Sequence, residues 1–117
     1  MEKLFLNFTN HPSEKWDSSQ IKEAVKYGKI VDMPFPAVEP VLDKEGIQKI
    51  AEEYVEKICE MHPAAVLCQG EFSLTYQIVR MLQEEGVLVF AACSKRRVVE
   101  QDGKKIVEFV FEKFREY

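Results

Sequence analysis

Ala64-Ala65-Val66-Leu67-Cys68 is an uninterrupted apolar run between Pro63 and the turn Gln69-Gly70. A run that short and that apolar is expected to be a central strand covered on both faces. Coverage of both faces needs helices on either side of a sheet, so this segment constrains the chain to a layered α/β fold. Its surroundings agree. Leu4-Phe5-Leu6-Asn7-Phe8 and Lys29-Ile30-Val31-Asp32-Met33 read as two earlier strands, and Val87-Leu88-Val89-Phe90-Ala91-Ala92 as a fourth.

Helical patterns lie between them. Asp17 or Ser18 can cap a short helix with Trp16 as its hydrophobic staple and Ile21, Ala24 and Val25 on one face; Gly28 stops it. A second helix starts near Asp43, with Ile47, Ile50, Ala51, Tyr54, Val55 and Ile58 at helical spacing, and ends before Pro63. A third runs from the Gln69-Gly70-Glu71 turn to about Glu85, with Phe72, Thr75, Val79 and Leu82 on one stripe. The pattern then changes. Arg96–Glu100 and Lys104–Phe111 flank Asp102-Gly103, a strong signal for a two-residue hairpin. That register sets Glu100 opposite Lys105 and Arg97 opposite Glu108, both oppositely charged pairs. On the last strand Val107, Phe109 and Phe111 fall on one face and Ile106, Val110 and Phe114 on the other.

The predicted organisation is one domain over residues 1–117: βαβαβαβ, with parallel strands in the order 2-1-3-4 and a C-terminal β-hairpin added at the strand-4 edge. A hydrophobic content of 46% with 11% aromatics supplies a core and excludes intrinsic disorder. The net charge of −4 argues against coating a long phosphate backbone but leaves room for a small anion at a local basic patch. No apolar run approaches a membrane span, and the first residues are too short an apolar stretch for a signal peptide, so a cytoplasmic protein without membrane contact is expected. Cys59, Cys68 and Cys93 form no C-x-x-C pair, and His11 and His62 do not complete a zinc spacing; neither a metal nor a cofactor is expected.

In an open α/β sheet, ligands bind beyond the carboxyl ends of the strands, where strand order reverses. That point lies between strands 1 and 3. The loops there carry Asn10, His11 and Ser13, and Gln69, Gly70 and Ser73; the strand-4 loop beside them carries Ser94, Lys95 and Arg96. Gly70 either lets a ligand approach the opening helix N-terminus or only permits the turn. His11 is either a proton-transfer group or a surface histidine. Lys95 and Arg96 lack an evident partner and are phosphate-binding candidates, or else a solvated strand end. Arg97 already faces Glu108. No serine-hydrolase signature accompanies Ser13 or Ser94.

The segments Leu6–Ser13 with Trp16, Tyr27–Pro36, Ala65–Phe72 with Leu74-Thr75-Tyr76, and Phe114–Tyr117 together resemble a group of small bacterial proteins associated with type III CRISPR loci. These are the compact Rossmann-like ring nucleases related to the CARF sensor domain. The resemblance covers nearly the whole chain. It implies a homodimer that binds cyclic oligoadenylate, the four-membered ring, across its two-fold axis and cuts it without metal, switching off the antiviral signal. In that chemistry a ribose 2′-hydroxyl attacks the neighbouring phosphate, and the protein orients it and stabilises charge. On the residue reading, His11, Lys95 and Arg96 then carry the catalytic work, and Asn10, Ser13, Gln69, Gly70, Ser73 and Ser94 bind the ligand. Two alternatives remain: a non-cleaving sensor or sink of the same fold, and a small mononucleotide-binding or protein-interaction domain.

Overall fold

The apolar runs become strands, and the polar run after the fourth does not become a loop. The computed structural model describes residues 2–117. Its elements are β1 (Leu4–Phe8), α1 (Ser18–Val25), β2 (Lys29–Asp32), α2 (Lys44–Glu60), β3 (Ala65–Cys68), α3 (Phe72–Glu84), β4 (Val89–Gln101) and β5 (Lys104–Glu116), with a 3-10 turn over Ser13–Lys15. They form one five-stranded sheet in the order β2-β1-β3-β4-β5. The β1–β2, β1–β3 and β3–β4 pairs are parallel, and β4–β5 is antiparallel.

The mixed α/β class and the terminal hairpin match expectation. The strand count does not. Cys93-Ser94-Lys95-Arg96 continues the fourth strand straight into the hairpin's first arm, so the hairpin is not a separate addition. Only Val89 and Phe90 pair with β3; the rest of β4 has β5 alone as its neighbour. A strand with one neighbour and solvent beside it tolerates polar side chains on both faces, which is why this polar segment stays extended. The expected hairpin register holds. Glu100 pairs with Lys105, Arg97 with Glu108, and the last pair closes an ion pair at 2.8 Å. Asp102 and Gly103, with φ of 53° and 75°, make the left-handed turn that matches strand twist.

Two clusters sandwich the sheet. Phe5, Ala65, Leu67 and Phe90 pack with Trp16 and Ala24 on the α1 face. Leu6, Phe8, Val66 and Cys68 pack with Ile47, Ala51, Ile58, Leu74, Ile78 and Leu82 on the α2–α3 face. Side-chain alternation along β1 and β3 produces this division. Three face assignments are corrected. On α1, Gln20 and Ala24 are the buried residues and Val25 is exposed. On α3, the inward stripe is Leu74, Ile78 and Leu82, with Val79 beside it, and Phe72 stands 92% exposed. On β5, Cys93 pairs with Lys113 and Ser94 with Phe111, leaving Glu112 as an extra residue. That bulge turns Phe111 to the same face as Phe114, and their rings meet edge-on at 4.9 Å. No helix among the described residues is long and apolar enough to cross a membrane.

Candidate functional site

β1 carries a polar residue where the core should be dry. Asn7 is fully buried between Leu6 and Phe8, and it spends its amide on the loop that follows. Its Nδ2 donates to the His11 carbonyl at 3.0 Å and to Asp32 Oδ1 at 2.9 Å. Its Oδ1 accepts from the Thr9 hydroxyl at 2.8 Å. Trp16 Nε1 donates to the same His11 carbonyl at 3.0 Å. From the other side, Asp32 at the end of β2 accepts from the backbone N–H of Ser13 and, at 3.0 Å, from its hydroxyl. The loop between β1 and α1 is therefore held from beneath and from one flank. These bonds use backbone carbonyl and N–H groups that a free loop would leave to water.

Beyond the carboxyl ends of β1 and β3 this loop borders a cleft of about 730 Å³. Thr9, Asn10 and His11 form one rim, and Gln69 and Gly70 the next. The bases of β4 and β5 close it with Ala92, Ser94, Phe109 and Phe111. Lys15, Trp16, Asp17 and Gln20 close it from the α1 side. The volume lies inside the range of about 300–1,000 Å³ typical of small-ligand sites.

Five of the sequence-selected residues meet here: Asn10, His11, Gln69, Gly70 and Ser94. Gln69 is fixed in orientation, because its Oε1 accepts from Ala92 N–H at 2.9 Å and its NH₂ is left for a ligand. Gly70 is explained by packing. A Cβ there would run into the Phe35 ring, which lies against the backbone. The other four sit elsewhere. Ser13 is committed to Asp32. Ser73 donates to Glu71 at 2.6 Å and borders a separate groove with Leu42 and Tyr76. Lys95 pairs with Val110 and Arg96 with Phe109, so alternation turns them to opposite faces of the ribbon. Arg96 shares the cleft-side face with Ser94 and Phe109, one step further out; Lys95 faces away.

The α3 N-terminus is not an open anion site. Glu71 caps it, accepting from Leu74 N–H at 2.7 Å. The Ser73 hydroxyl and that N–H hold the Glu71 carboxyl below its ordinary range. Asp17 does the same for α1, held low first by the Ser19 hydroxyl at 2.6 Å and then by the Gln20 N–H at 3.0 Å. Among the described residues no three of His, Cys, Asp and Glu converge as metal ligands. The family model described as the Uncharacterized protein MJ1673 family matches residues 3–115. The chain belongs to the MJ1673 family. No curated protein matches it.

Sequence reasoning missed the α1 side of the cleft in this MJ1673-family chain. Lys15 supplies the cation lining the cleft, and Gln20 places an amide in its wall. A signal for Gln20 was present: it lies four residues before the buried Ala24, so a polar group shares α1's inward stripe. Phe109 and Phe111 came to the cleft through the bulge, which no local pattern announces. The thiols take no part. Burial raises Cys68 to about 12, so it stays protonated and unreactive. Its carbonyl accepts from the Tyr117 hydroxyl at 2.6 Å, which pins the end of β3 from which Gln69 and Gly70 emerge.

Proposed function

We propose that this MJ1673-family chain is a metal-independent ring nuclease that binds cyclic tetra-adenylate and opens it to linear products ending in a 2′,3′-cyclic phosphate, switching off type III CRISPR signalling. The observation that carries this reading is where the resembling segments end. Leu6–Ser13 and Ala65–Phe72 supply Thr9, Asn10, His11, Gln69 and Gly70 to one cleft, and Phe114–Tyr117 closes back on the end of β3. The parallel β2-β1-β3-β4 portion, with the cleft at the reversal of strand order, supports a Rossmann-like, CARF-related assignment within a cytoplasmic protein.

The reaction needs no protein nucleophile. The ribose 2′-oxygen bonds to the adjacent phosphorus as the bond from phosphorus to the 5′-oxygen breaks. The 2′-hydroxyl proton passes to a base, and the departing 5′-oxygen takes up a proton. His11, at the rim, is the proton-transfer group in this reading. Gln69 Nε2 and Asn10 hold ribose or phosphate oxygens. Lys15 and Arg96 supply positive charge where charge develops on the phosphate. A cleft sized for a small ligand accepts part of a four-nucleotide ring, so two copies share one ring in a homodimer. Lys95, on the other face of the ribbon, contributes only if a partner protomer brings that face to the ring.

A non-cleaving sensor or sink uses the same cleft. The exposure of His11, whose ring has no hydrogen-bond partner among the described residues, favours this second reading. The deciding experiment incubates the protein with cyclic tetra-adenylate in EDTA and separates the products. Linear di-adenylate with a cyclic phosphate establishes the ring nuclease, and His11→Ala then lowers single-turnover cleavage about 10²-fold or more with affinity nearly unchanged. An intact ring that binds tightly establishes the sensor. Neither cleavage nor binding removes the cyclic-oligoadenylate reading altogether.

A further inference from the structure

Gln20 is an anomaly in the α1 wall. It is 8% exposed, yet its side-chain amide has no hydrogen-bond partner among the described residues; only its backbone N–H is engaged, by Asp17. Its amide atoms are not sealed, since the buried side-chain polar atom without a partner among the described residues is Thr75 Oγ1, so the little surface Gln20 keeps includes its donor and acceptor, and a ligand that displaces water there has to replace those bonds. Gln20 lines the cleft, so the place where its bonds can be met is the cleft itself. The two other amides there differ. Gln69 already accepts from Ala92 through its oxygen, and Asn10 is exposed. Gln20 alone combines burial with a free donor and a free acceptor in one plane.

Its neighbours in the cleft lining are aromatic. Trp16 and Phe111 are buried aromatics in the cleft lining, and Phe109, 70% exposed, presents a ring from the ribbon side. Aromatic faces accept any nucleobase by stacking and do not choose between them. An amide does choose. Its oxygen accepts from the 6-amino group of adenine while its NH₂ donates to N7, a pairing that guanine, with acceptors at both positions, does not offer.

We propose that Gln20 is the specificity-determining residue of this cleft, reading an adenine through N6 and N7 as the base stacks beside Phe109. The proposal rests on the adenylate reading above and deepens it. It assigns base discrimination to α1, not to the loops at the strand ends.

The probes are cyclic tetra-adenylate and its 7-deaza counterpart, which keeps the amino group and the stacking face but lacks N7. Binding is read by calorimetry and by emission of Trp16, the only tryptophan in the chain. Gln20→Met preserves length and removes both bonds. The expected result is that the parent protein binds the 7-deaza ring roughly tenfold or more weakly than the natural one. Gln20→Met should bind both rings equally and weakly while Asn10→Ala keeps the preference. If the parent binds both rings alike, or Gln20→Met retains the preference, Gln20 does not read the base, and the adenylate function stands without it. The comparison of rings on the parent protein decides this even if Gln20→Met fails to fold. If the parent binds neither ring, the adenylate reading falls and takes this assignment with it.

Discussion

At the scale of single residues, the molecule spends side-chain polarity on backbone groups at element ends. Asn7 does this for the loop carrying His11; Asp17 and Glu71 do it for α1 and α3. The two caps give the fold a dated response to acid. Both carboxyls are held below their ordinary values of 3.8 and 4.5, each chiefly by the serine hydroxyl two residues on. A depressed folded pKa means that the stabilisation is fully present above the ordinary value and is lost as pH falls through the folded one. Stability should therefore drop as pH falls below about 4, partly through these two groups. The double variant Asp17→Ala, Glu71→Ala should lose about 1 kcal/mol per cap near neutrality and approach the parent in acid. Denaturant midpoints measured across that range check it; parallel curves for the two proteins would assign the acid response to other groups.

At the scale of elements, the ribbon of β4 and β5 carries the main departure from a plain sheet. Its turn can be tested alone. Replacing Asp102-Gly103 with Ala-Ala puts two side chains ill suited to positive φ at the tip, a cost on the order of 2 kcal/mol. Hydrogen exchange should then show amides of residues 95–110 losing protection while those of β1 and β3 keep theirs. Loss throughout would mean that the ribbon and the core fold as one unit. This element also shows what a sequence can and cannot disclose. Its turn and charge pairing were legible, because Asp-Gly and the Arg97–Glu108 pairing are local facts. The continuity of β4 was not, because the polarity of Ser94–Arg97 imitates a loop when the strand has outrun its sheet. The inward faces of α1 and α3 were misread for a related reason. Phe72 and Val25 are apolar, but Phe72 opens α3 and Val25 closes α1, and both stand exposed. Of the cleft, the strand-end loops were legible from the alternation of elements. Lys15 was not, since only tertiary packing brings α1 beside the ribbon, and for Gln20 the spacing from Ala24 pointed inward without pointing to the cleft.

At the scale of the whole molecule, one cleft and one uncovered apolar stripe have to be read together. Val98, Val107 and Phe109 are 50%, 44% and 70% exposed, and pairing across the ribbon sets them on one face. In the dimer proposed above, burying this stripe supplies part of the association energy. Sedimentation should give twice the 13.6 kDa chain mass at micromolar concentration, and Val98→Lys with Phe109→Lys should shift it towards one. A parent protein that sediments at a single chain mass would rule out a preformed dimer. The ribbon also ties the arm to the site. Because β4 runs from Val89 to Gln101, the arm and the sheet share one strand. Its inner end presents the Ala92 N–H that orients Gln69, next to the irregularity at Cys93/Ser94. The distant tip and the amide at the cleft's edge thereby belong to one continuous strand, so that whatever grips the arm holds the same element that orients Gln69.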